Sequence, residues 1–102
     1  MDTNKYILKD KKPVVERDLF KWARWLENGE NRQVAFDKID GKRVSTVFLG
    51  LDHQFGKGKP LLFETMIFGD DEEYQARYST WEEAEAGHKK AIEYVSTKNR
   101  TK

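Results

Sequence analysis

The pair Asp40-Gly41, set between two runs in which apolar and polar residues alternate, constrains this chain more than any other feature. Both residues tolerate the left-handed backbone of a two-residue hairpin turn. The pair therefore predicts one antiparallel strand over Arg32 to Ile39 and a second over Lys42 to Leu51. With a two-residue turn, Ile39 stands opposite Lys42, Val34 opposite Val47 and Phe36 opposite Ser45. Side chains alternate across a strand, so Val34, Phe36, Val47 and Leu49 share one face. Val44 and Phe48 fall on the other, opposite Asp37 and Gln33. The first face reads as clearly apolar and the second as partly so.

A third strand is expected over Leu61 to Phe68, a nearly continuous apolar run that suits a central position. Tyr74 to Tyr78 reads as a short strand or an extended approach to a helix. Before the hairpin, Tyr6-Ile7-Leu8 reads as a short strand, Lys9-Asp10-Lys11-Lys12-Pro13 as a turn, and Val14-Val15 as a segment pairing back across it. A first helix is expected from Asp18, its N-cap, to Asn28-Gly29. Its apolar face is Leu19, Trp22, Ala23 and Leu26, with Trp25 beside it. A second helix starts at Ser79-Thr80-Trp81-Glu82, where either Ser79 with Glu82 or Thr80 with Glu83 makes a capping box. Its apolar positions are Trp81, Ala84, His88, Ala91, Ile92 and Val95. The fold class is α+β: an antiparallel three- to four-stranded sheet with two helices, in the order (β)-α-β-β-β-α, both helices on one face. One domain spans residues 1–102, with a folded core over 6–95 and flexible ends at 1–5 and 96–102.

Composition narrows the function classes. Lys and Arg number 19 against 18 Asp and Glu, so no general attraction to nucleic acid or anionic membrane exists. Aromatic residues at 13% argue for a packed core in a chain that is 36% charged. The chain has no cysteine, which removes disulfides, thiolate metal sites and thiol nucleophiles. No apolar run reaches membrane-spanning length and no signal peptide opens the chain. A soluble protein of a reducing cytoplasm is the expectation.

Five constellations have the residue types for chemistry or recognition. Asp52-His53 at a strand end, Glu64 on the next strand and His88 supply oxygen and nitrogen donors of the kind that hold a divalent metal. His88 alone, on an apolar helix face, reads as a packed histidine hydrogen-bonded to backbone. Gly56-Lys57-Gly58-Lys59 is rich in glycine and lysine, but Pro60 leads into a strand where a phosphate loop needs a helix. Helix, three strands and helix is also the element order of double-stranded-RNA-binding domains. The last helix here opens Trp81-Glu82-Glu83-Ala84-Glu85, which repels phosphate. Lys9, Lys11, Lys12, Lys57 and Lys59 are the cations such binding would use. Lastly, if both helices cover one sheet face, the other is left partly bare, and a bare apolar face marks a partner site. The residues assigned to it are Val44, Phe48, Phe55, Phe63 and Met66.

Three stretches also carry a resemblance: Val44-Ser45-Thr46-Val47-Phe48-Leu49-Gly50-Leu51-Asp52-His53 with Phe55-Gly56, Pro60 to Gly69, and Tyr78-Ser79-Thr80-Trp81-Glu82-Glu83-Ala84-Glu85-Ala86-Gly87-His88. With Tyr6-Ile7-Leu8, Pro13-Val14 and Trp22-Ala23-Arg24-Trp25, they resemble a family of small uncharacterised proteins encoded in bacteriophage and prophage genomes. The likeness runs from Tyr6 to His88 and carries no catalytic residues with it. It implies a protein of a phage or mobile element working in the cytoplasm of a bacterial host. The expectation is an accessory protein that binds a host or phage protein, a host-defence factor among the possibilities, without catalysis and without a cofactor. Nucleic acid and membrane are not expected partners, and a homo-oligomer is left open. The alternative reading is a metal-dependent enzyme using Asp52, His53, Glu64 and His88.

Overall fold

The computed structural model describes residues 4–54, 58–69 and 74–100. Its elements follow the expected order, and the pairing of Val14-Val15 back onto Tyr6-Ile7-Leu8 forms as a hairpin at the front. Strands β1 (Tyr6–Lys9) and β2 (Lys12–Val15) pair with each other in a two-stranded sheet. Asp10 and Lys11 turn the chain with φ of 51° and 68°, the conformation of a two-residue hairpin turn.

Helix α1 runs over Leu19–Glu27, and the Asp18 carboxylate accepts from the free amides of Phe20 and Lys21 at 3.0 and 3.1 Å. The stop differs from the expected glycine cap. Asn28, in extended backbone, ends the helix, and its side chain accepts from Glu30 N to cap a 3₁₀ turn over Gly29–Asn31. The inward face also differs: Trp22, Trp25 and Leu26 are half-buried, while Leu19 and Ala23 are exposed. Trp22 donates from Nε1 to the Gly50 carbonyl at 3.0 Å, and Trp25 meets Phe48 edge-on at 5.6 Å. The paired indoles, more than the aliphatic stripe, hold α1 to the rest.

Strands β3 (Gln33–Ile39), β4 (Lys42–Phe48), β5 (Phe63–Phe68) and β6 (Tyr74–Tyr78) form a four-stranded antiparallel meander. Asp40 and Gly41 turn between β3 and β4 with φ of 52° and 81°. Ile39 lies opposite Lys42 and Phe36 opposite Ser45, as the turn length requires. Beyond Ala35 the register slips at a bulge, so Gln33, not Val34, faces Val47. The extra residue turns Val34 toward the core under α1.

Helix α2 extends over Trp81–Arg100. Thr80 with Glu83 is the capping box that forms: Thr80 Oγ1 accepts from Glu83 N, and Glu83 Oε1 accepts from Thr80 N and Ser79 N. The helix continues past its expected end at Val95. Ser96 to Arg100 contains no glycine or proline to stop it.

The face of the sheet that α2 covers carries Val44, Thr46 and Phe48 from β4 and Phe63, Thr65 and Ile67 from β5, all at most 2% exposed. This is the opposite side from the one the β3–β4 pattern alone favours. The core has two apolar clusters: Val44, Ile67, Ala91 and Val95 in one, Phe48, Leu62, Phe63 and Ala84 in the other. Rings of Trp25, Phe48, Phe63 and Trp81 meet edge-to-face in sequence at 5.6, 5.2 and 6.3 Å, an arrangement that adds to area burial. Gly87 lets α2 close onto β6, because a Cβ there would overlap the Tyr78 ring and hydroxyl.

Candidate functional site

Between the two apolar clusters lies one polar layer. Thr46 stands between Val44 and Phe48, Thr65 between Phe63 and Ile67, and His88 between Ala84 and Ala91. Thr46 Oγ1 is 2.6 Å from Thr65 Oγ1 and 2.7 Å from His88 Nδ1, and His88 Nε2 is 2.7 Å from Asp37 Oδ2. The ionised carboxylate only accepts, so Nε2 carries a proton for it. In the neutral ring Nδ1 then accepts from the Thr46 hydroxyl, which accepts in turn from Thr65. Every polar atom of the ring has a partner, so His88 is a packed histidine, held by side chains where backbone partners were expected. Asp, His and Thr stand here in the order of a nucleophile relay. The hydroxyl at its end is fully enclosed, however, with Thr46 and Thr65 both at 0% exposure, so no substrate meets it.

The proposed metal ligands do not converge. Glu64 follows Phe63 and precedes Thr65, so it points to the face of the sheet opposite His88. There its Oε2 accepts from Gln75 Nε2 at 2.6 Å and from Arg77 Nε at 3.0 Å. Asp52 Oδ1 accepts from Gln54 N and Leu61 N, closing the loop at its own base, and His53 N donates to the Leu61 carbonyl. Among the described residues no group of three or more His, Asp or Glu side chains is placed to hold a metal ion.

The partner-binding set divides. Val44, Phe48 and Phe63 are each 0% exposed, locked beneath α2 or α1, and are corrected here to core residues. Phe55 lies outside the described residues. Met66 alone belongs to the face that no helix covers. The side chains of that face form three rows across the strands. The first is Lys38, Arg43 and Phe68; the second is Phe36, Ser45, Met66 and Gln75; the third is Gln33, Val47, Glu64 and Arg77. Phe36 is 43% and Phe68 41% exposed. Between them Arg43 and Ser45 help line a hollow of about 300 Å³, and the Arg43 guanidinium sits 5.7 Å from the centre of the Phe68 ring.

Two further features stand apart from this face. Val15, Leu19 and Phe20 are exposed on β2 and α1, Phe20 the most. Between β6 and α2 a second hollow is lined by Tyr74, Tyr78, Gly87 and Lys90, among others. The Tyr78 hydroxyl and Trp81 Nε1 are buried and have no hydrogen-bond partner among the described residues. Burial raises the Tyr74 phenol above its ordinary pKa, reinforced by the neighbouring Tyr78 and Tyr94.

Sequence reasoning missed Phe36 and Phe68 as exposed residues. The signal was present: Lys38, Arg43, Glu64 and Arg77 share their side of the sheet, and charged residues seek water. No helix of the described residues is long and apolar enough to cross a membrane. Comparison with known protein families, curated proteins and solved structures finds no match.

Proposed function

We propose that this chain is a small accessory protein of a bacteriophage or prophage that acts in the host cytoplasm by binding another protein without catalysis. The observation that carries the binding reading is the uncovered sheet face, where Phe36 and Phe68 stand more than two-fifths exposed around a hollow. Aromatic and arginine side chains are the usual anchors of protein interfaces. An interface centred there would bury roughly 800 Å² of this chain. The phage setting rests on the resemblance of the three sequence stretches described above. Host proteins, defence factors among them, are the partners this setting implies.

The test is affinity capture from bacterial lysate with tagged chain, with a nuclease-treated control, beside the double variant Phe36→Ser/Phe68→Ser. One dominant protein that survives nuclease treatment and is lost in the variant supports the reading. Equal capture by the variant, or none by the native chain, removes the sheet face as the binding surface.

A further inference from the structure

The uncovered face holds an electrostatic conflict. Lys38 and Arg43 are direct cross-strand partners on it. Like charges placed opposite one another across two strands are destabilising. Elsewhere on the same face the matching problem is solved, since Arg77 is paired with Glu64 at 3.0 Å. Among the described residues no carboxylate lies within ion-pair distance of Lys38 or Arg43. Arg43 instead lies over the Phe68 ring, and among the described residues its N–H groups have no acceptor. Ser45 lines the same hollow. Local rules are broken in this way where a ligand completes the site.

We infer that the hollow between Phe36 and Phe68 takes a carboxylate flanked by an apolar side chain, presented by an extended acidic segment of the partner protein. This rests on the binding reading above and adds the chemistry of the partner. The carboxylate accepts from the fork of Arg43, in the bidentate geometry that guanidinium favours, and relieves the repulsion between Arg43 and Lys38. The apolar neighbour enters between the two phenyl rings. A nucleic-acid strand fits less well. It requires a track of cations, and among the described residues this face has two without a carboxylate partner.

The experiment is selection of a random peptide display library on the full chain, followed by fluorescence anisotropy with one enriched peptide. The expected peptides carry Asp or Glu beside Phe, Trp or Leu. Replacing that acid with its amide, or Arg43 with Gln, is expected to weaken binding about tenfold, and Arg43→Lys to restore only part of it. Phe36→Ser/Phe68→Ser is expected to abolish it. Enriched peptides without an acid, or binding unchanged by Arg43→Gln, overturn the carboxylate but leave the sheet face standing. Binding indifferent to the Phe36/Phe68 variant overturns the face itself. Absence of any enriched peptide, or tighter binding of a single-stranded oligonucleotide that collapses with salt, also overturns the inference.

Discussion

His88 ties the long helix to two strands at once: Nδ1 lies 2.7 Å from Thr46 Oγ1 and Nε2 lies 2.7 Å from Asp37 Oδ2. The ring is 4% exposed and sits between two apolar clusters. A slide of α2 by one turn would set an apolar side chain against the threonines and bury their hydroxyls unpaired. That penalty, about 1–3 kcal/mol per group, selects one register of helix on sheet. His88→Ala should therefore destabilise the fold by about 3 kcal/mol, combining a cavity with an orphaned Thr46. Thr46→Val should cost less, and Asp37→Asn least, because Asp37 is half exposed and an amide oxygen still accepts from Nε2–H. Urea denaturation gives the order. A loss from Asp37→Asn as large as from His88→Ala would contradict this account.

Gly87 and Tyr78 make a second pair whose effects are separable. Alanine normally gains about 1 kcal/mol over glycine inside a helix. At Gly87 its Cβ would overlap the Tyr78 ring as well as the hydroxyl, so Gly87→Ala should instead cost about 1–3 kcal/mol. Tyr78→Phe removes a buried hydroxyl that has no partner and should be neutral or stabilising. It should not rescue Gly87→Ala, since the ring carbons remain. Thermal melts of the two single variants and the double variant decide the point.

Tyr74 predicts an alkaline limit to stability. Burial favours the neutral phenol, and Tyr78 and Tyr94 add to the shift. Tyr74 packs on Tyr94 with ring centres 5.1 Å apart. With the folded pKa above the unfolded one, the stabilisation is complete below the unfolded phenol pKa. It is lost as pH rises through the folded value. Phenolate absorbance should show one tyrosine titrating late, and Tyr74→Phe should remove that step and flatten the fall of melting temperature at high pH. An unchanged titration curve in the variant would assign the effect elsewhere.

The two faces of the sheet should answer mutation in opposite ways. Phe48, at 0% exposure, contacts the rings of both Trp25 and Phe63, so Phe48→Ala should cost about 3–5 kcal/mol. Phe68→Ser, on the uncovered face, should change stability by under about 1 kcal/mol. Denaturant midpoints test both, and a large loss from Phe68→Ser would mean that the face is packed in the free protein.

Much of the architecture was legible in short stretches. Asp40-Gly41 set the register at Ile39↔Lys42 and Phe36↔Ser45 because turn length and pleat leave one choice. Asp18 and the Thr80/Glu83 pair marked both helix starts, since orphan amides need acceptors within a few residues. The α+β class and the succession of β3, β4 and β5 followed from these signals, while the same signals left open whether Tyr74 to Tyr78 would join as a fourth strand.

The remainder depended on residues far apart in the chain. Which side of the β3–β4 hairpin becomes core is settled by all four strands together. Phe63, Thr65 and Ile67 continue the side of Val44, while Glu64 and Arg77 burden the side of Phe36. The hairpin pattern therefore read correctly in register from the turn as far as Phe36 and Ser45, and wrongly in register beyond the bulge and in face. The bulge beside Ala35 that sends Val34 inward has no marker in its own residues. The partners of His88 lie 42 and 51 residues away, and the clash guarding Gly87 comes from a neighbouring strand. Turns and caps are local hydrogen-bond problems, so the sequence by itself determined them. Burial is a competition between whole faces, and only the tertiary structure decided that Val44, Phe48 and Phe63 would be enclosed and Phe36 and Phe68 left to water.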